Sequence, residues 1–141
     1  MSKPKMMILL LGGQPKGYDE PFSKATLSGK RLHALADALP FDFVHYADLW
    51  LDHLEENKGA IWPQTEEFLK GMQSKGFVIV ALGGRVQKAL RKNTTIHFVA
   101  LPHPAARRKT DLQRLREGLT ILAGSPNDFR QRISHAPPNA D

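Results

Sequence analysis

The chain has 141 residues, enough for one domain with a sizeable core and too few for two. Apolar residues make up 41% and charged residues 24%, the balance of a soluble globular domain, and the absence of cysteine excludes disulfides, thiolate zinc sites, cysteine-ligated iron–sulfur clusters and cysteine nucleophiles. Twenty Lys and Arg against 14 Asp and Glu give a net charge of +6 and a pI near 9.8, which favours polyanionic partners because phosphate contacts release condensed counterions.

Residues 6–11 form the only markedly apolar run near the N-terminus. Six residues are too few for a signal-peptide core or a membrane span, so a cytoplasmic protein with no membrane association is expected. The continuous run reads as a strand covered on both faces. A Gly- and Pro-rich loop follows, from Gly12 to about Pro21. Ser28 is placed to cap a helix carrying Leu32, Leu35, Ala36 and Leu39, which Pro40 ends. Residues 41–46 read as a second strand. Residues 48–63 show no clear period, with Leu49, Trp50 and Leu51 expected to pack without regular structure. A helix over 64–75, stopped by Gly76, leads to a third buried strand over 77–82. Gly83-Gly84 turns that strand into a helix through about Arg91, and 96–101 is a fourth strand. Asp111 caps a last helix with Leu112, Leu115, Leu119 and Leu122 in one stripe.

Strands alternating with helices imply right-handed crossovers, hence a three-layer α/β/α domain with a central four-stranded parallel sheet over residues 1–124. Residues 125–141, ending in Ala136-Pro137-Pro138-Asn139-Ala140-Asp141, are expected to be a flexible tail.

In open parallel sheets, ligands bind beyond the carboxyl ends of the strands. Two loops there carry unusual residues. The first holds Gly12-Gly13-Gln14-Pro15-Lys16-Gly17-Tyr18, whose glycines let backbone N–H groups approach a ligand while the proline stiffens the turn. It is not a Walker A loop, because Tyr18 stands where the lysine belongs, and it spells no dinucleotide fingerprint. A tight turn needing no ligand is its plain alternative. The second loop holds His103-Pro104 followed by Arg107-Arg108-Lys109. Proline restrains the backbone before it, so His103 is held in one orientation and can donate to a developing anion. A solvated surface histidine is the plain alternative there, and the adjacent cations favour a phosphate-bearing ligand. Asp19 and Glu20 read as solvated loop acids before they read as a general base. His33 and His45 read as packing residues. No spacing of His, Asp and Glu suggests a metal, and no cofactor is expected.

Together these segments resemble the uracil-DNA glycosylase superfamily. Its members begin with a strand and a G-x-x-P loop (GQDPY, GINPG or GEAPG), continue through a Pro-Phe pair and a Ser-Gly-Arg-like helix start, and end in an HP[ST] or HPA loop. Here Gly12-Gly13-Gln14-Pro15, Pro21-Phe22 with Ser28-Gly29-Lys30-Arg31-Leu32, and Leu101-Pro102-His103-Pro104-Ala105 match in that order, and Val80-Ala81-Leu82-Gly83-Gly84 resembles the strand before the last motif. The resemblance spans residues 6 to 123.

It implies an enzyme that flips a nucleotide into a pocket and hydrolyses its N-glycosidic bond. His103 and Gln14 would then be catalytic, and Gly13, Pro15, Phe22 and Asp48 would hold the base, with Phe22 stacking on it. Residues 105–109 would wedge into the strand, and Lys16, Lys30, Arg31, Arg107, Arg108 and Lys109 would meet phosphates. The implied partner is DNA, with a modified base or as a single strand, and the protein is expected to be a monomer. Two positions depart from the pattern. Gln14 or Gly13 stands where the family places an acid or amide that positions water. Asp48 or Ala47 stands near the asparagine that reads uracil, and a carboxylate accepts hydrogen bonds without supplying an amide donor, so a base other than uracil is expected. A catalytically inactive nucleic-acid- or nucleotide-binding protein of the same fold stays open, as does an enzyme acting on free nucleosides or nucleotides.

Overall fold

The computed structural model describes residues 6–15, 17–18 and 20–124. Lys16, Asp19 and the expected flexible tail over 125–141 lie outside the described residues.

The order of elements is β1 (Met7–Gly12), α1 (Leu27–Asp37), β2 (Phe43–Asp48), α2 (His53–Lys58), α3 (Pro63–Ser74), β3 (Phe77–Leu82), α4 (Gly84–Asn93), β4 (Val99–Leu101) and α5 (Lys109–Gly124). The four strands form one all-parallel sheet in the order β2-β1-β3-β4. Side chains alternate between its faces. Ile8, Leu10, Val78, Val80, Leu82, Val99 and Leu101 point toward α1 and α5, meeting Leu32, Ala36, Leu115, Leu119 and Leu122. Leu9, Leu11, Ile79 and Ala81 point the other way, toward Leu69 and Met72 of α3 and Val86, Ala89 and Leu90 of α4. This is the three-layer α/β/α architecture.

The chain moves from β1 to β2 in one direction along the sheet with its helix on one face. It returns past β1 to β3 and on to β4 with its helices on the other face. Reversing direction and face together keeps every crossover of one hand. The reversal puts a switch point between β1 and β3, where the loops beyond the strands diverge and leave a crevice.

Several local expectations are corrected. Thr26, not Ser28, caps α1: its hydroxyl accepts the Gly29 N–H at 2.9 Å and donates to the Ser23 carbonyl at 2.7 Å. β4 has three residues, because Ile96 and Phe98 are already buried in the α3–α4 layer before the chain joins the sheet at Val99. Asp111 lies in the first turn of α5, which begins at Lys109. The aperiodic segment holds α2, a helix of six residues none of which is buried, so it carries no apolar stripe to betray it. Its signals are its ends: Asp52 accepts the Leu54 and Glu55 N–H groups, and Gly59 closes it in the left-handed region.

One close approach fixes the loop that precedes α1. A Cβ at Gly29 would collide with the backbone carbonyls of Ser23 and Phe22, so glycine is required there for the loop to lie on the helix. Backbone atoms cannot swing aside as a flexible side chain can. Gly29→Ala is therefore expected to destabilise the fold by about 3 kcal/mol, the upper part of the usual range for overpacking, seen as a lower urea midpoint at unchanged slope. A midpoint equal to that of the wild type would contradict this packing.

Candidate functional site

The carboxyl ends of β1 and β2 are in register, with Gly12 opposite Asp48. Beyond them, a small recess is lined by Gly13, Gln14, Pro15, Phe22, Asp48 and His103, among others. Three segments of the chain thus meet: the two ends of the loop that joins β1 to α1, the end of β2 and the loop after β4. The recess has room for about 30 Å³, enough for one or two waters.

Gly12 makes this convergence geometrically possible. A Cβ there would lie 2.5 Å from the Phe22 ring and 3.2 Å from Asp48 Oδ1. Phe22 has φ of 50°, the only left-handed non-glycine residue among those described, and its surroundings hold that conformation. His33 Nε2 donates to its carbonyl at 3.1 Å, and Gly29 packs beneath the same carbonyl. The Phe22 ring lies 5.8 Å from the His103 ring and 6.4 Å from that of Tyr46, and only 9% of the residue is exposed. In this form the ring is part of the wall, with little surface open for a base to stack on.

His103 is set by β4 and its neighbours. The Gly83 N–H donates to the Leu101 carbonyl at 3.0 Å, and the Gln87 amide donates to both Ala81 and Leu101 carbonyls, locking the exits of β3 and β4 together. The histidine Cβ comes within 3.3 Å of where a Gly83 side chain would begin. Its Nδ1 accepts the Ala105 N–H at 2.9 Å, which assigns the proton of the neutral ring to Nε2. His103 is thus prepared as a donor.

Two carboxylates flank the recess in contrasting settings. Asp48 makes no hydrogen bond or ion pair with another described residue, and burial pushes its carboxyl up to about 6. Glu56, from α2, accepts the Gln14 Nε2–H at 2.9 Å through Oε1 and pairs with Arg85 at 3.4 Å through Oε2. The Gln14 carbonyl oxygen has no partner among the described residues. Sequence reasoning missed Glu56: it lies 42 residues from Gln14 on a helix without an apolar stripe, and only the sheet order brings the two together. Nearby, burial and then the Asp37 carboxylate push the Tyr46 hydroxyl up to about 12, so it remains neutral and stacks on His33 at 4.2 Å.

Larger hollows adjoin the recess. One of about 260 Å³ shares Gly13, Gln14 and His103 with it and extends along Gly83, Gly84 and Arg85. Another of about 440 Å³ shares Pro15 and Asp48 and is lined by Trp50, Leu51 and Trp62. Gly13, Gln14 and His103 together form the boundary between the recess and the first hollow.

The expected phosphate contacts fare differently. Arg31 is half-buried and its Nη1 donates to the Pro104 carbonyl at 3.4 Å, bracing the histidine loop. Lys30, Arg107, Arg108 and Lys109 are exposed, but none lines the recess or the adjoining hollows, which reach along this loop only to Ala105. His45 is exposed on β2 beside Phe68 and Phe77. Among the described residues, no cluster of three His, Asp or Glu could hold a metal ion, and no helix is long and apolar enough to cross a membrane. Comparison with protein families, curated proteins and solved structures finds no match.

The raised Asp48 carboxyl sets a sign for stability against pH. An unfolded aspartate titrates near about 3.9, so between there and 6 the folded protein holds the proton more tightly. The advantage of the protonated form is present below the lower value and is lost as pH rises through the upper one. Wild type and Asp48→Asn should melt alike in acid, and Asp48→Asn should melt higher above neutrality. A melting difference that does not change with pH would contradict the partnerless, desolvated carboxylate.

Proposed function

We propose that this protein hydrolyses the N-glycosidic bond of a base flipped out of a DNA strand. The observation that carries this reading is the convergence of Gln14, Phe22, Asp48 and His103 on one recess at the switch point of the sheet. These are the positions that the uracil-DNA glycosylase resemblance singles out, and they come from three separate stretches of the chain. Each can be given a task. His103 Nε2–H donates to the acceptor on the base where negative charge builds as the bond breaks. Gln14, its amide nitrogen held by Glu56, presents its carbonyl oxygen to the attacking water. The water oxygen bonds to C1′, the C1′–N bond breaks, and the electron pair leaves with the base nitrogen. The proton released by the water neutralises the departing base, directly or through solvent.

Asp48 reads the base. As a carboxylate it accepts N–H donors, which favours a base bearing an exocyclic amino group over uracil. The recess itself holds a water or two, so a flipped base would extend from it into the 260 Å³ hollow that shares Gly13, Gln14 and His103 with it.

The same hydrogen bond favours a second reading. With Gln14 tied to Glu56 and the recess small, a protein of this shape can bind nucleic acid without cleaving it. Incubation with a panel of single- and double-stranded oligonucleotides, each carrying one modified base, followed by hot alkali, distinguishes the two. Strand scission is expected at an amino-bearing base and not at uracil. His103→Ala should lower its rate about 100- to 1,000-fold, the usual loss for one such donor. No scission across the panel, or equal rates for wild type and His103→Ala, would overturn the enzymatic reading; salt-dependent binding without scission would establish the second.

A further inference from the structure

On the far side of Glu56 from the recess, α2 and α4 enclose a cleft of about 380 Å³. Both ends are tied. At one end Glu56 pairs with Arg85; at the other the Asn93 amide donates to the carbonyls of Gly59 and Ala89, joining the end of α2 to α4. Its inner wall is held where Trp50 Nε1–H donates to the Ala60 carbonyl at 2.7 Å. The cleft is a fixed feature, not a gap between loops.

Its lining is cationic. Lys58 contributes from α2, and Arg85, Lys88 and Lys92 from α4. On α4 these lie at i, i+3 and i+7, one helical stripe spanning about 10 Å of axis. The helix contains Arg85, Lys88, Arg91 and Lys92 and no acidic residue. Lys92 near its C-terminus suits the helix dipole, but Arg85 in the first turn opposes it, and like charges at i, i+3 and i+4 repel. Local stability therefore does not explain the stripe. Lys58, Lys88 and Lys92 have no ion pair among the described residues, and Arg85, 73% exposed, retains most of its charge for solvent. Glu56, the single lining acid, is already engaged by Gln14 and Arg85. Glu56 and Arg85 also line the hollow that contains His103, so the cleft runs into the candidate site.

We propose that this cleft is a lane for the sugar–phosphate backbone of a single nucleic-acid strand, with Lys58, Arg85, Lys88 and Lys92 meeting successive phosphates. A strand laid there is delivered to His103. The inference concerns binding alone and stands whether or not the protein cleaves a glycosidic bond.

Fluorescence anisotropy of a labelled single-stranded DNA across a salt series tests it. The variant carrying Lys58→Ala, Lys88→Ala and Lys92→Ala changes only exposed side chains, so its circular dichroism should match the wild type. Three lost contacts at about 0.7 each should lower the slope of log affinity against log salt by about 2. The variant Arg107→Ala, Arg108→Ala, Lys109→Ala, of equal charge, should keep the wild-type slope. The lane would be overturned by an unchanged slope in the first variant, by a loss confined to the second, by no binding in the wild type, or by displacement of the DNA by polyglutamate of equal charge as readily as by unlabelled DNA.

Discussion

At the end of β1 the chain leaves no room for a side chain. A methyl group at Gly12 would press into the Phe22 ring at 2.5 Å and reach the Asp48 carboxylate at 3.2 Å. Because Gly12 is bare, the ring lies across the strand exit, the loop before α1 folds down behind it, and His103 packs against its other side. The sheet contributes the rest. Register places Asp48 opposite Gly12, and the reversal of winding between β1 and β3 opens the crevice into which Gln14 and His103 project. The left-handed φ of Phe22 is a strain that this packing sustains.

The electrostatics of the crevice divide between its two carboxylates. Asp48 is desolvated and its carboxylate has no partner among the described residues, so its carboxyl is pushed up. Glu56 is fully engaged, holding Gln14 on one oxygen and Arg85 on the other, and so joins the recess to the cationic cleft. One acid is unengaged among the described residues, while the other orients the protein's own groups. Their different settings follow from position: Asp48 sits at a strand end against Gly12 and Phe22, whereas Glu56 projects from a short, exposed helix.

Much of the fold was legible because its physics is local and periodic. Continuous apolar runs at 7–11 and 77–82 mark strands buried on both faces, and the leucine stripes of α1 and α5 mark the faces those helices bury. What failed was equally physical. α2 buries nothing and so has no period, Thr26 caps α1 in place of Ser28 because its hydroxyl also reaches Ser23, and β4 is shorter than the apolar run because Ile96 and Phe98 are buried without joining the sheet. Of the candidate site, Gln14, Phe22, Asp48 and His103 were readable from loop chemistry and motif order, since their loops follow strand ends. Glu56 and the stripe of Arg85, Lys88 and Lys92 were not, because their proximity to the recess is a consequence of strand order. Conversely, Arg107, Arg108 and Lys109 are adjacent to His103 in sequence yet do not line its recess.

We propose that Gln14, Phe22, Asp48 and His103 form one working site for a nucleic-acid strand. This is tested most directly by amide and imidazole NMR shifts as the protein is titrated with a single-stranded oligonucleotide carrying one stable abasic-site analogue. Shifts should concentrate at Gly12 to Gln14, Phe22, Asp48, Gly83 and Gly84, and His103 to Ala105, including the His103 ring. Saturable shifts that cluster elsewhere, for instance around His45 and Phe68 on the opposite part of the sheet, with the His103 ring unmoved, would contradict it.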